Sequence, residues 1–245
     1  MAKQSTATAT PVLLTRPEAR SLAFAAALDV HFGDRLRCVM APLMAPRILS
    51  PSLPEGHFDA VIFTSATAVE AARKLGVPLP TRAFCVGART AVAARAAGFV
   101  ASSAGGDAGD LVAAILSDPA RGRLLHLRGQ DSTGDVAERL TAHGITTIPV
   151  IVYGQDPQPL TSEATGLLQD PAPLILPIFS PRSAALLSAA LPETTRARLH
   201  IAAMSAAVAK AAFVMPNDVL VIARQPDAEG MLEAVGTLLA DLPPP

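Results

Sequence analysis

Ile148-Pro149-Val150-Ile151-Val152-Tyr153-Gly154 is a short β-branched run that closes the first of two α/β arrays. It carries Tyr153, the only tyrosine of the chain. The sequence on either side reads as two copies of one kind of unit. The run therefore reads as a strand connecting two lobes, with Tyr153 at the mouth of the cleft between them.

Upstream, strand and helix signals alternate. Val12–Thr15 reads as a strand, and Pro17 and Glu18 open a helix to about Leu28, proline suiting the first turn and the carboxylate its positive end. Arg35–Met44 is extended, with Pro42 confining it to an edge or linker role. Asp59–Phe63 reads as a buried strand leading to helix Ala66–Leu75, and Ala83–Val86 as a strand leading to helix Ala88–Ala97. Phe99–Ala101, helix Leu111–Leu116, Leu124–Leu127 and helix Val136–His143 complete the first array. Beyond Tyr153 the pattern restarts: helix Thr161–Leu168, then a strand at Leu174–Phe179 that Pro177 marks as edge or bent. Helix Ala184–Leu191, strand His200–Ala203, helix Ala206–Ala212, strand Val219–Ala223 and helix Met231–Leu239 follow. Such alternation predicts an α/β fold, with parallel sheets covered on both faces.

The chain's 245 residues suffice for one large domain or two of ordinary size. Half the residues are hydrophobic and few are aromatic, so Ala, Leu and Val must build the cores. A net charge of −1 gives no mark of a nucleic-acid binder, although a local basic cleft would serve a polyanion. Met1–Pro11 is a poor signal peptide and reads as a disordered tail. No run is apolar enough to span a membrane, and Pro243-Pro244-Pro245 stops the last helix. Cys38 and Cys85 lack metal or redox spacing and read as buried thiols of a reduced, cytoplasmic chain. The five histidines show no ligand spacing, so no metal is predicted.

Two segments echo two others. Val61-Ile62-Phe63-Thr64-Ser65 resembles Pro177-Ile178-Phe179-Ser180-Pro181, and Cys85-Val86-Gly87-Ala88-Arg89-Thr90-Ala91 resembles Ala203-Met204-Ser205-Ala206-Ala207-Val208-Ala209. Both pairs run strand, small polar turn, helix, which implies two similar lobes.

Ligands of open α/β sheets bind at the carboxyl ends of the strands. The candidates there are Thr15, Arg16, Thr64, Ser65, Gly87, Arg128, Gly129, Ser180 and Ser205. Several precede helices, whose exposed N–H groups suit anions, and Arg16 and Arg128 could add bidentate carboxylate contacts. Plainer readings stand beside these. Thr64, Ser65 and Ser180 are equally N-cap residues, Arg16 and Arg128 surface charges, and Tyr153 a half-buried strand tyrosine. Gly105–Asp110 lacks the spacing of a phosphate loop and reads as a turn with an aspartate N-cap.

The order Leu14-Thr15-Arg16-Pro17, Asp59–Ser65, Val86–Ala91, Leu127-Arg128-Gly129, Val152-Tyr153, Phe179–Ser183 resembles the uroporphyrinogen-III synthase family over about Val12–Leu239. The resemblance implies two flavodoxin-like lobes with parallel sheets, joined by a two-stranded antiparallel linker. One lobe is discontinuous, residues 12–36 with 154–242; the other is 42–147; residues 37–41 and 148–153 are the linker strands. It implies a hydro-lyase that closes linear hydroxymethylbilane, a tetrapyrrole polycarboxylate, to uroporphyrinogen III in heme biosynthesis, losing water and inverting ring D. No cofactor is implied. Tyr153 matches the family's linker-strand tyrosine, the candidate acid, and Thr90 lies in a matching substrate-binding turn. The second turn departs from the family's Gly-Pro-x-Thr-Ala, with Val208 where the threonine falls and Ser205 nearby. A cytoplasmic monomer is implied, supplied by hydroxymethylbilane synthase. Rival readings are a non-catalytic two-lobed binding module for a tetrapyrrole or other polyanion, and a receiver-like interaction protein. The latter would want acidic residues at the strand ends.

Overall fold

The alternation of short apolar strands with alanine-rich helices builds two separate sheets. The computed structural model describes residues 9–131 and 134–242. In chain order the elements begin β1 (Thr10–Leu14), α1 (Glu18–Phe32), β2 (Leu36–Met40), β3 (Met44–Ile48), β4 (Ala60–Phe63), α2 (Ala66–Lys74), β5 (Arg82–Cys85), α3 (Ala88–Ala96) and β6 (Val100–Ser103). There follow α4 (Ala108–Leu116), β7 (Leu124–Gly129), α5 (Val136–Ala142), β8 (Thr147–Pro157), α6 (Ser162–Gln169), β9 (Pro173–Ile178) and α7 (Pro181–Ala190). The chain closes with β10 (Arg198–Ala203), α8 (Ala206–Ala212), β11 (Val219–Ile222) and α9 (Ala228–Ala240). Among the described residues no helix is long and apolar enough to cross a membrane. Most of the expected N-terminal tail, and the terminal prolines, lie outside the described residues; Thr10 and Pro11 belong to β1.

The chain forms two units, residues 1–45 with 157–245, and residues 46–156. The first unit holds a five-stranded sheet in the order β11-β10-β9-β1-β2, with every pair parallel. The second holds a six-stranded sheet in the order β3-β8-β7-β4-β5-β6. Its β8-β7-β4-β5-β6 part is parallel. β3 runs antiparallel to β8, as the bonds Leu49 N to Val152 O and Arg47 to Asp156 show.

The two parallel sheets are one arrangement threaded from different starting strands. Orders β2-β1-β9-β10-β11 and β8-β7-β4-β5-β6 correspond strand for strand, and the first is the doubly wound order 2-1-3-4-5. The registers agree: Val12 pairs with Ile175 five residues before Ser180, and Leu124 pairs with Ala60 five residues before Ser65. Counting four residues on from Val12 and from Leu124 reaches Arg16 and Arg128, which are therefore equivalent. The two sequence echoes fall on β4 and β9 and on β5 and β10.

Each sheet is buried on both faces. One face of the first unit packs Leu13, Val39, Leu176 and Ile201 against α6, α7 and α8; the other packs Val12, Leu14, Ile175 and Ala202 against α1 and α9. In the second unit, Val61, Phe63 and Leu125 face α2 and α3, while Ile62, Phe84 and Leu124 face α4 and α5.

Two expectations change. Residues 37–41, expected as a linker strand, lie mostly in β2, an edge strand paired in parallel with β1. The chain crosses between units at Ala45/Pro46 and Asp156/Pro157, so β3 and the second half of β8 carry both crossings. β2 stays in the first sheet because Val39 is buried in its core. β9 holds Pro177 yet is central, between β10 and β1. The β1–β9 ladder is carried at Val12↔Ile175, so the missing N–H of Pro177 falls beyond it.

Candidate active site

In each sheet the strand order reverses at one place, where a doubly wound fold binds its ligand. In the second unit that switch point lies between β4 and β7. β4 runs out into Thr64 and Ser65, and β7 into Arg128 and Gly129. β8 delivers Tyr153 to the same end. Its register with β7 slips between Arg128↔Ile151 and Gly129↔Tyr153, leaving Val152 as an extra residue on β8. Such a bulge re-aims the side chain that follows it. Val152 is fully buried, and Tyr153 lies half-buried across the strand end.

The ring is held on several sides. Tyr153 Oη lies 3.0 Å from Ser65 Oγ. A Cβ added at Gly129 would sit 2.5 Å from Tyr153 Cζ and 2.7 Å from Oη, so only glycine lets the ring lie there. The Gln130 N–H donates to the Tyr153 carbonyl at 2.9 Å. Ser65 also caps α2, its Oγ accepting the Ala68 N–H at 3.1 Å. The other expected residues of this unit take separate places. Thr64 is partly buried between β4 and the cap. Gly87 caps α3 by backbone alone, and Thr90 is buried in that helix's first turn. Arg128 folds back, its Nε donating to the Gly129 carbonyl at 3.2 Å. The Gly105–Asp110 loop ends in Asp107, whose carboxylate accepts the Asp110 N–H and caps α4. Gly106 Cα would stand 3.4 Å from a Cβ at Gly87, so two glycines let this loop approach the start of α3.

The first unit's switch point lies between β1 and β9. Thr15 is buried there, its carbonyl accepting the Leu43 N–H at 3.1 Å. The Arg16 guanidinium lies 3.8 Å over the Phe179 ring. Burial, and secondarily Arg20's charge, lowers the Arg16 pKa to about 10. None of the ion pairs among the described residues includes Arg16. Ser180 caps α7 by accepting the Ser183 N–H at 3.1 Å, and its hydroxyl also meets that of Ser183 at 2.8 Å. Ser205 caps α8 through Val208 N, and Val208 is buried. The hydroxyl missing at Val208 thus reappears at the cap, whereas the equivalent α3 turn pairs Gly87 with Thr90.

Phe179 and Ser183 belong to this second group but stand apart from the residues singled out by strand-end position. The available signal was the echo itself, which sets Phe179 beside Ser180 as it sets Phe63 beside Thr64-Ser65. The Cys85 thiol is buried, which raises it to about 11 and makes it inert.

Paired doubly wound sheets with polar strand ends at their switch points define a two-unit α/β protein. A family model described as uroporphyrinogen-III synthase HemD matches residues 37–233, and the chain belongs to that family. Among solved structures, the uroporphyrinogen-III synthetase of Helicobacter pylori is similar at 17% identity, covering 94% of this chain and 99% of its own, with a TM-score of 0.58. A mutant uroporphyrinogen III synthase of Thermus thermophilus is 17% identical over 96% of this chain and 100% of its own, with a TM-score of 0.45. The wild-type protein of that bacterium is 19% identical over 95% and 98%, with a TM-score of 0.38. At these identities structural likeness speaks to the fold alone. No curated protein matches significantly.

Proposed function

We propose that Tyr153 is the proton donor of this enzyme's ring closure, and that the phenolate it leaves behind later recovers the proton. The chain is a uroporphyrinogen-III synthase by family, a cyclising hydro-lyase of heme biosynthesis. Its substrate, hydroxymethylbilane, must lose the hydroxyl of ring A's hydroxymethyl group, and hydroxide is a poor leaving group. A phenol is protonated at neutral pH and arrives ready to act as an acid. Proton transfer from Tyr153 Oη lets the C–O bond break and water depart, leaving an azafulvene cation. Ring D attacks it through its substituted carbon to give a spiro intermediate, which fragments and recloses through ring D's free α-carbon. That carbon then loses a proton, which returns to Tyr153, so substrate is converted to product plus water with the enzyme restored.

Uncatalysed closure gives the uninverted isomer I, so positioning is most of the task. The substrate's eight carboxylates are the handles. Arg16 takes one by charge, since none of the ion pairs among the described residues occupies it. Arg128 is its counterpart in the other unit. N–H groups at the starts of α2, α3 and α7 take others. The enzyme acts as a cytoplasmic monomer that receives its substrate from hydroxymethylbilane synthase, and light scattering with and without that synthase tests the assembly.

The observation that carries this reading is the single phenol at a switch point, 3.0 Å from a hydroxyl and backed by Gly129. Hydroxymethylbilane generated in place from porphobilinogen and its deaminase supplies the assay, with products separated by isomer. The Tyr153→Phe variant is expected to form isomer III roughly 10²-fold more slowly or worse, with unchanged folding. Full activity in that variant refutes the acid role, and isomer I alone from the folded wild-type protein supports the binding-module reading.

A further inference from the structure

We infer that Ser65 is a positioning residue whose hydroxyl stabilises the Tyr153 phenolate, and not a substrate ligand. The inference rests on Tyr153 being the acid. Ser65 Oγ accepts the Ala68 N–H at 3.1 Å, which pins its oxygen at the start of α2 and leaves its hydrogen free. That oxygen is also 3.0 Å from Tyr153 Oη. While the phenol keeps its proton, either hydroxyl can donate across this distance. Once the proton has moved to the departing oxygen, only Ser65 can donate. The Ser65 hydroxyl must then point to the phenolate, where a hydrogen bond to a charged acceptor is about twice as strong as a neutral one. The phenolate also faces the positive end of α2, a helix of nine residues.

The geometry leaves the phenol little alternative. Gly129 lies against the ring, and the Tyr153 carbonyl is held by Gln130. The Ser65 oxygen cannot follow a moving ring without breaking the cap. No proton leaves Ser65 in the cycle; its hydrogen bond strengthens as charge develops and relaxes when Tyr153 is reprotonated. Such an interaction acts on the transition state more than on the bound substrate, so it belongs to kcat.

The test is a set of variants in the isomer III assay. Ser65→Ala is expected to lower kcat roughly ten- to a hundredfold, with KM changed less than about threefold. Ser65→Thr keeps both the cap and a donor, and is expected to retain most activity. Ser65→Asp caps α2 as well as serine but cannot donate, and is expected to lose at least as much kcat as Ser65→Ala while keeping thermal stability. In the Tyr153→Phe background, Ser65→Ala is expected to cost nothing further, because Ser65 acts only through the phenol. The chain has one tyrosine and no tryptophan, so a near-UV difference spectrum of Ser65→Ala against wild type reports the phenol's lost hydrogen bond directly. Unchanged kcat in Ser65→Ala, or the same fold loss with and without Tyr153, overturns the inference while leaving Tyr153 as the acid. Full activity in Tyr153→Phe overturns the acid reading itself, and this proposal with it.

Discussion

Lowering the pH from 7.5 to 5 is expected to destabilise the second unit through one residue, His126. This imidazole is 2% exposed, in the middle of the central strand β7 and opposite Ile62. Both of its ring nitrogens are buried without a hydrogen-bond partner among the described residues. Burial, with Arg128's charge second, lowers its pKa from 6.5 to about 4. The folded state therefore keeps the ring neutral while the unfolded chain takes up a proton below about 6.5. Stability is complete above that value and is lost as the pH falls towards about 4. The linkage relation puts the loss at about 2 kcal/mol at pH 5 and about 3 kcal/mol at pH 4. Tyr153 is the sole tyrosine and lies in the same unit, so its fluorescence in urea follows this unit's unfolding. With a slope of roughly 1.5 kcal/mol/M, the urea midpoint drops by about 1 M between pH 7.5 and 5. His126→Leu removes the titrating ring and keeps an apolar side chain of similar size, so its midpoint is expected to fall about 1 M less over that range. Equal pH dependence in the two proteins refutes the reasoning, as does a wild-type midpoint that rises on acidification.

Two further substitutions test the site. Gly129→Ala places a methyl where the Tyr153 ring lies, and is expected to cut isomer III formation roughly tenfold or more while leaving the unit folded. Unchanged turnover, with an unchanged near-UV tyrosine signal, would show that the ring was not held there. Arg16→Gln removes the charge over Phe179, and on the proposed carboxylate-binding role is expected to raise KM roughly tenfold with kcat little changed, as loss of a contact that binds ground and transition states alike would do. A fall in kcat at constant KM would argue against a binding role.

The sheets were legible in the sequence because parallel strands buried on both faces leave apolar runs such as Ala60–Phe63 and Leu174–Leu176 between alanine-rich helices. The echo of the β4 and β9 turns was legible too, because a strand end and an N-cap constrain consecutive residues. Arg16 and Arg128 were found by position at strand ends, and their equivalence emerged from register, which no local pattern encodes. The division of residues 36–48 into two strands belonging to different sheets was hidden for a related reason. Both segments are extended and carry proline nearby, and only pairing partners tell them apart. Pro177 misled because proline argues against a central strand, a rule that fails where a ladder ends early. The contact of Ser65 with Tyr153 joins residues 88 apart, through a bulge that leaves no mark in the sequence.

The shared arrangement of the units does not extend to the phenol, which the second unit alone carries. In the first unit the β1–β2 register ends at Leu14↔Met40 and the Leu43 N–H bonds to the Thr15 carbonyl, whereas the second unit sets Gly129 opposite Tyr153. Leu43 is buried in the first unit's core, and Pro17 precedes α1 without a side-chain cap. The chain beyond the edge strand thus packs into the core in the first unit, and carries the proposed acid in the second. The first unit instead carries its charge one step away, as Arg16 over Phe179 beside the capped start of α7. Arg128, the counterpart of Arg16, turns its Nε back onto the Gly129 carbonyl beside the phenol. A closure that needs one acid but many carboxylate contacts places no demand for a second phenol. On the proposed function it is served by a first unit that keeps polar strand ends without a tyrosine, and the residues at the two switch points divide in that way.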